Sequence, residues 1–432
     1  VNILVIVGAY LFPSEGRPNA GIFFANLLKR WPALGARVVV VSPTAYIPAP
    51  LMGWRRFAHH RGIGGNQRWH GMEVFRPRYV SISIARHNWL QARSRRQSVM
   101  PLCLRLHRRI RFDLVLGFCL GPSAYAARCA AEELHLPCAT WAIGSDVHTE
   151  PNLSAENADL FRHNVRHCDL MLAVSEAIRR QIVKRFPRAR HVHTFYRGID
   201  LDAVRAPADR PALRAELQLP ANRLCMLSAG SVQKAKGVYE FYEAFKALAP
   251  RRPELSAVWV GAGAETPRLR DQAGRDGLSD RFTVTGLLPR RRVLQYMHAA
   301  DVLAFPSHAE GLPNVVMEAM AARLPAVATD VGGTRELIVP EVTGMLVPPR
   351  DVPALADAVA FMLDHPRESR RMARRGRQLI LEHFDVDRNA PVALSLFERV
   401  ASGEAMDVPV PACAGTEAGC LPADRLRRAQ GT

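Results

Sequence analysis

The sequence predicts an α/β protein made of two doubly wound domains, and three observations carry that reading. The chain has 432 residues, too many for one ordinary core at about 150 residues per domain. Short apolar runs recur along it between helix-length stretches, the alternation of a parallel sheet with crossover helices. That alternation is interrupted around Asp202 to Pro220, where Pro, Ala and charge replace strand character, as in an interdomain linker. The composition, 48% apolar and 23% charged with 29 Gly and 31 Pro, excludes disordered and collagen-like classes.

The first domain, residues 1–205, opens on Asn2-Ile-Leu-Val-Ile-Val-Gly8, a buried parallel strand by pattern and too short to cross a bilayer. A helix over 21–34 and a second apolar run from Arg37 to Ser42 complete a βαβ unit. Further strands are predicted at 113–117, 137–141 and 169–175, with helices near 121–134, 154–167 and 176–186. The second domain, 206–385, has strands at 223–230, 255–261, 281–286, 302–306 and 325–330, each followed by a helical stretch. A last helix, 386–401, is expected to return to the first domain. The tail, 402–432, has few large apolar residues and is expected to be disordered.

The eight Cys form no C-x-x-C, and no charged start, apolar run and small-residue cleavage site is read. Reduced structural thiols and a cytoplasmic location are expected. The formal charge of +18 is concentrated: from Gly16 to Phe112, eighteen basic residues face one acid, Glu73. Between Arg76 and Arg111, ten Arg are interleaved with Trp89, Leu90, Met100, Leu102, Leu104, Leu106 and Ile110. A basic amphipathic surface on anionic lipid is the preferred reading. The bland alternative is that Arg stems cover a domain face with their heads in water. Nucleic-acid binding is the third reading, and no reading helix, zinc finger or aromatic RNA-binding motif supports a specific one.

The most informative stretch is Phe305-Pro-Ser-His-Ala-Glu310-Gly-Leu-Pro-Asn-Val-Val-Met-Glu318, which follows an apolar strand and opens a helix at about Pro313. Gly311, Leu312 and Asn314 then offer backbone amides at a helix N-terminus, suited to an anion such as a diphosphate. Glu310 and Glu318 can aim two carboxylates at one ligand and accept hydrogen bonds from vicinal hydroxyls. The bland reading makes Glu310 a cap and Glu318 a solvated charge. Lysine is rare, five in the chain, yet Lys234 and Lys236 fall beside Gly230 and Gly237 at a predicted strand end, where ligands of open α/β sheets bind.

At these residues the sequence resembles glycosyltransferase family 4, retaining enzymes of the GT-B fold, whose two Rossmann-like domains face each other across a cleft. The resemblance covers most of residues 2 to 400. It rests on Asn19-Ala20-Gly21, Gly144-Ser145-Asp146, Ala173-Val-Ser175-Glu176, Gly198-Ile-Asp200, Gly230 through Gly237, the Glu310 to Glu318 spacing, and Gly332-Gly333-Thr334 with Gly344-Met-Leu-Val-Pro. It implies that Glu310 contacts the donor-sugar hydroxyls and Glu318 the ribose, with Lys236 and the amides after Glu310 on the diphosphate. Gly21 permits close backbone approach to that group, and Ser231 lies among the donor-binding residues. Asp146 is the candidate for organising the acceptor or the sugar edge, with a structural turn as the other reading.

The sequence departs from the family at Ser231, where many members carry Arg, and at Ile143 and Arg197, where relatives carry His and Asn. Lys234 either compensates for Ser231 or points into solvent. The Asp200-Leu-Asp202 and Asp385-Val-Asp387 triplets resemble a metal motif of another glycosyltransferase fold, but neither precedes a Gly-rich phosphate loop. His59-His60 reads as solvated basic loop. No metal and no cofactor are expected. The implied partners are a nucleoside-diphosphate sugar and a glycan or lipid-linked acceptor. A GT-B nucleotide-sugar epimerase and a non-catalytic sugar-nucleotide sensor are the alternatives.

Overall fold

A computed structural model describes residues 1–15, 17, 19–47, 63–81, 88–205, 209–406 and 410–413. His59, His60 and the basic residues Arg55, Arg56, Arg61 and Arg86 lie outside the described residues. The chain forms two compact units. The first comprises Val1–Gly198 with the described residues from Val386 on, and the second spans Ile199–Asp385.

The first unit contains β1 (Asn2–Ile6), β2 (Arg37–Val41), β3 (Thr44–Tyr46), β4 (Gln67–Trp69), β5 (Met72–Phe75), β6 (Arg78–Val80), β7 (Leu114–Phe118), β8 (Cys138–Ala142), β9 (Leu170–Ala173) and β10 (Val192–Thr194). Eight of these form one sheet in the order β10-β9-β8-β7-β1-β2-β5-β4, parallel except for the β4–β5 hairpin. Its helices are α1 (Ile22–Leu28), α2 (Asn88–Ile110), α3 (Pro122–Leu134), α4 (Ser145–His148), α5 (Ala155–Arg166) and α6 (Glu176–Arg185). The helix expected over 21–34 stops at Leu28, and a separate 3-10 turn follows at Trp31–Leu34, where Pro32 cannot continue an α-helical ladder.

The second unit has one wholly parallel sheet, ordered β13-β12-β11-β14-β15-β16. Its strands are β11 (Leu224–Ala229), β12 (Leu255–Val260), β13 (Phe282–Val284), β14 (Val302–Phe305), β15 (Ala326–Thr329) and β16 (Met345–Val347). Every residue of β12, β14 and β15 is buried, as expected for strands covered by helices on both faces. The helices are α7 (Arg210–Glu216), α8 (Val238–Leu248), α9 (Thr266–Arg275), α10 (Arg290–Ala299), α11 (Asn314–Ala321), α12 (Val352–Asp364) and α13 (Pro366–His383). Phe241, Tyr242, Phe245, Trp259 and Phe282 are buried in its core.

The chain enters the second unit at Ile199 rather than near 205, because the Asp202–Val204 turn packs on α10, where His298 Nε2 meets the Val204 carbonyl at 3.0 Å. The last helix, α14 (Val386–Ala401), belongs to the first unit. The Trp31 indole donates to the Ala390 carbonyl at 3.0 Å and its ring meets Phe397 edge-on, while Arg30 pairs with Asp387 at 2.8 Å.

Two expectations need correction. In the tail, expected to be disordered, the described residues are docked: Met406, Val410, Ala412 and Cys413 are buried, and His193 Nε2 meets the Met406 carbonyl at 2.7 Å. The Tyr196 amide donates to the Ala412 carbonyl at 2.6 Å. A few small apolar side chains suffice because the backbone hydrogen-bonds directly onto the unit. Nor do the apolar residues of α2 form a lipid-facing stripe. Ala92, Val99, Cys103, Leu106 and Ile110 of α2 are buried in the core, with Met100, Leu102 and Leu104 packed against it. Leu90 is the exposed exception among its large apolar side chains.

Candidate active site

In the second unit the strand order reverses direction between β11 and β14. Outside the carboxyl ends of such a pair two loops diverge and leave a crevice, the usual ligand position in open parallel sheets. The loop after β11 carries Ser231 and Lys236, and the loop after β14 carries Glu310, Gly311 and Leu312. Lys236 Nζ pairs with Glu310 Oε1 at 2.6 Å, the lysine side chain 34% exposed and the glutamate 12%. The two loops are joined through the backbone as well, the His308 amide donating to the Ala235 carbonyl at 3.0 Å.

Close packing explains the glycines around this pair. Gly237 has φ +71°, and a Cβ on it would lie 1.9 Å from the Pro306 carbonyl oxygen. Gly332, at φ +51°, would place a Cβ 1.8 Å from the Glu310 carbonyl oxygen. Only glycine fits either place. The Gly333 amide then donates to the Gly311 carbonyl at 3.0 Å, so Gly332-Gly333 is the floor on which the Glu310–Gly311 turn rests. The Trp259 indole, unnoticed in the sequence, holds the Gly230 carbonyl at 3.0 Å.

Helix α11 begins at Asn314, with Pro313 in the capping position, one residue later than the sequence suggests. The Gly311 and Leu312 amides find no acceptor among the described residues, so they remain as donors toward an anion beside Lys236. Glu318 is not a solvated helical charge: its side chain is 5% exposed, Oε1 accepts a hydrogen bond from Arg290 Nε at 3.0 Å, and a terminal nitrogen of the same guanidinium lies 2.8 Å away as an ion pair. Burial raises its carboxyl above the usual range, and Arg290 opposes the shift. Oε2 has no partner among the described residues, which leaves it to accept from a ligand hydroxyl. Arg290, the first residue of α10, was not anticipated, although the Arg290-Arg291-Arg292 run was visible. Ser231 is half-buried and Lys234 exposed, so Lys234 takes the solvent-facing alternative.

Two predicted residues belong to the first unit. Gly21 caps α1 at φ +56°, and a Cβ there would lie 2.0 Å from the Leu11 carbonyl oxygen. Local packing alone demands glycine. Asp146 sits in the turn after β8 with its carboxylate turned to backbone amides. It is 2% exposed, and its carboxylate accepts from the amides of Gly144 at 2.7 Å, Leu120 at 2.9 Å and Ile143 at 3.1 Å. Both oxygens are spent pinning the turn after β8 to the loop after β7. Arg197 is buried with its guanidinium carbon 5.7 Å from the Phe23 ring and 5.8 Å from Phe24, and burial lowers it to about 10.

A cation, free amides and two carboxylates thus follow the carboxyl ends of β11 and β14, group types suited to an anionic, hydroxyl-rich ligand. The family model for glycosyl transferases group 1 matches residues 209–379, and that for glycosyltransferase family 4 matches residues 20–203. The chain belongs to glycosyltransferase family 4 and is a glycosyltransferase. It is 28% identical over 361 residues to a teichuronic acid biosynthesis glycosyltransferase of Bacillus subtilis, covering 83% of this chain and 88% of that protein. It is 33% identical over 262 residues to a D-inositol 3-phosphate glycosyltransferase of Saccharomonospora viridis, covering 57% and 60%. Among solved structures, HepE of Anabaena in complex with UDP-glucose matches with a TM-score of 0.71 at 20% identity, covering 93% of this chain and 99% of that one. Sucrose-phosphate synthase of Thermosynechococcus elongatus matches with a TM-score of 0.75 at 19% identity and the same coverage. At these identities the likeness is one of fold: two Rossmann-like units of the GT-B type.

Proposed function

We propose that the chain transfers a sugar from a nucleoside-diphosphate sugar to a glycan or lipid-linked glycan, with retention and without a metal ion. The setting is exopolysaccharide or lipopolysaccharide assembly at the cytoplasmic face of a membrane. The observation that carries this is the Lys236–Glu310 pair at 2.6 Å across the second unit's switch point, beside the Gly311 and Leu312 amides. As the glycosidic bond breaks, negative charge grows on the leaving phosphate. Lys236 and those amides meet that charge more strongly in the transition state than in the ground state. The same donors supply the neutralisation that a divalent ion would otherwise provide. Glu310 releases Lys236 to the diphosphate and turns to sugar hydroxyls, while Glu318 Oε2 takes the ribose. Retention rests on the family resemblance.

The relatives support the choice of donor and setting: HepE was solved with UDP and with UDP-glucose, and the Bacillus protein is named for teichuronic acid biosynthesis. No described helix is long and apolar enough to cross a membrane. Docking to an anionic membrane is proposed through charge alone, by Arg93, Arg96, Arg105 and Arg108, which stay exposed on α2. Flotation with anionic vesicles tests it, and absence of salt-sensitive binding removes it. The enzymatic reading is tested by thermal-shift screening of nucleoside diphosphates and their sugars, followed by transfer assays. Turnover of the donor only with acceptor present supports transfer. Turnover without acceptor points to an epimerase, and binding without any turnover to a sensor.

A further inference from the structure

The first unit has a switch point of its own, between β1 and β7, where the order turns toward β2 and β5 on one side and β8 to β10 on the other. Gly8 follows β1 and Ser123 opens α3 after β7. Ser123 Oγ stands 3.5 Å from where a Cβ on Gly8 would be, so the two flanks touch. Arg95 reaches this crevice from α2. It donates to Ser123 Oγ at 2.9 Å and to the Tyr79 hydroxyl at 3.1 Å, and its guanidinium carbon lies 4.9 Å from the Tyr79 ring centre.

Two more guanidiniums converge on the same strand ends. Arg76, just after β5, is buried and donates to Ser42 Oγ at 3.2 Å and to the Pro13 carbonyl at 2.6 Å. Arg17 lies 5.4 Å from the ring centre of Tyr10, which follows β1. Burial lifts the Tyr10 phenol above its usual value, Tyr79 adds to the shift, and Arg17 and Arg95 oppose it. Tyr10, Tyr79, Arg17 and Arg95 therefore share one electrostatic neighbourhood, and Arg76 is brought to the same end of the sheet by the strand order, β1-β2-β5.

This is more than a basic surface. Arg17, Arg76 and Arg95 have no carboxylate partner among the described residues, and Glu73 is engaged by Arg109 at 3.0 Å and by Arg37 at 3.8 Å. The Nε of Arg76 and the Nε of Arg95 are both buried without a hydrogen-bond partner. Buried donors are ordinarily satisfied, and buried cations ordinarily paired. Converging guanidiniums match the charge and the several acceptor oxygens of a phosphate group.

We propose that Arg17, Arg76 and Arg95, with Tyr79 and Ser123, form a phosphate subsite at the first unit's switch point, and that the acceptor is a glycan or glycolipid bearing a phosphate ester. This rests on the proposed function, taken with the donor held by the second unit and the acceptor by the first, which is the division the family resemblance implies. Calorimetric titration of the full chain with inorganic pyrophosphate, at fixed near-physiological ionic strength, tests it apart from the donor site. Wild type takes up two anions, and Lys236→Ala keeps one. Adding Arg95→Gln to Lys236→Ala weakens the remaining site about tenfold or more. Arg17→Gln, at a half-exposed loop position, weakens it several-fold with the melting temperature held near that of wild type. Arg188→Gln, at an exposed position of the first unit, leaves it unchanged. Equal binding with and without Arg95→Gln, or equal weakening by Arg188→Gln, overturns the subsite. Loss of the Lys236-dependent anion alone counts only against the donor reading. Phosphatidylglycerol vesicles identify the source: capture weakened by Arg95→Gln assigns the phosphate to a lipid-borne acceptor, and unchanged capture assigns it to a soluble one.

Discussion

Arg290 places two nitrogens on a single oxygen of Glu318, at 2.8 and 3.0 Å, inside the second unit. One carboxylate oxygen is thereby fixed while the other stays available, so the arginine determines both the charge and the aim of Glu318. Burial raises the Glu318 carboxyl, so the folded state holds its proton more tightly than the unfolded chain. This group's contribution to stability is therefore largest at low pH and falls as pH rises from the unfolded value through the raised folded one.

Arg290→Met deepens that fall, because the carboxylate loses its counter-cation. Urea unfolding from pH 4 to 8 is expected to show a loss of about 3 kcal/mol at neutral pH, shrinking toward pH 4. Parallel curves for wild type and variant contradict the pairing.

Lys236→Ala is expected to lower kcat by about a hundredfold with thermal stability unchanged, since the lysine is partly exposed and acts on developing charge. Lys236→Arg should recover part of the rate. Wild-type turnover in the alanine variant refutes the assigned role.

Gly332→Ala forces a methyl group onto the Glu310 carbonyl. It should cost about 1–3 kcal/mol and weaken nucleotide binding in the same variant, because the displaced turn carries both Glu310 and the free amides. Unchanged melting temperature and affinity would show that the turn yields without consequence.

Asp146→Ala leaves two buried amides and one half-buried amide without their acceptor and is expected to cost about 2–4 kcal/mol. Activity should fall in step with stability, with the pH profile of the remaining activity unaltered. A large loss of kcat in a fully stable Asp146→Ala protein contradicts a positioning role.

Much of the fold was legible because fully buried parallel strands must be short apolar runs, as in Leu224–Ala229 and Val302–Phe305. The strand Val192-His-Thr194 carries no such run, and it is a sheet edge held mainly by pairing with β9. Helix α2 was hidden by its arginines and Pro101, although its buried positions 92, 99, 103, 106 and 110 keep helical spacing. In the site, Lys236, Glu310 and Glu318 could be read because each stands in a short Gly-containing stretch after an apolar strand, and Glu310 and Glu318 keep a fixed separation. Arg290 could not, since its partner is 28 residues away and only the packing of α10 brings the two together. Asp146 was legible only as two readings: the triplet Gly144-Ser145-Asp146 suits a ligand contact or a turn, and the amides around its carboxylate come from residues the sequence does not bring together.

The central claim concerns a diphosphate, and comparing a nucleoside diphosphate with the monophosphate of the same base tests it most directly. Using the base selected by thermal-shift screening, wild type should bind the diphosphate at least tenfold more tightly, a difference of about 1.4 kcal/mol, and Lys236→Ala should bind the two alike. If the variant keeps the wild-type preference, the second phosphate is held elsewhere and the account fails.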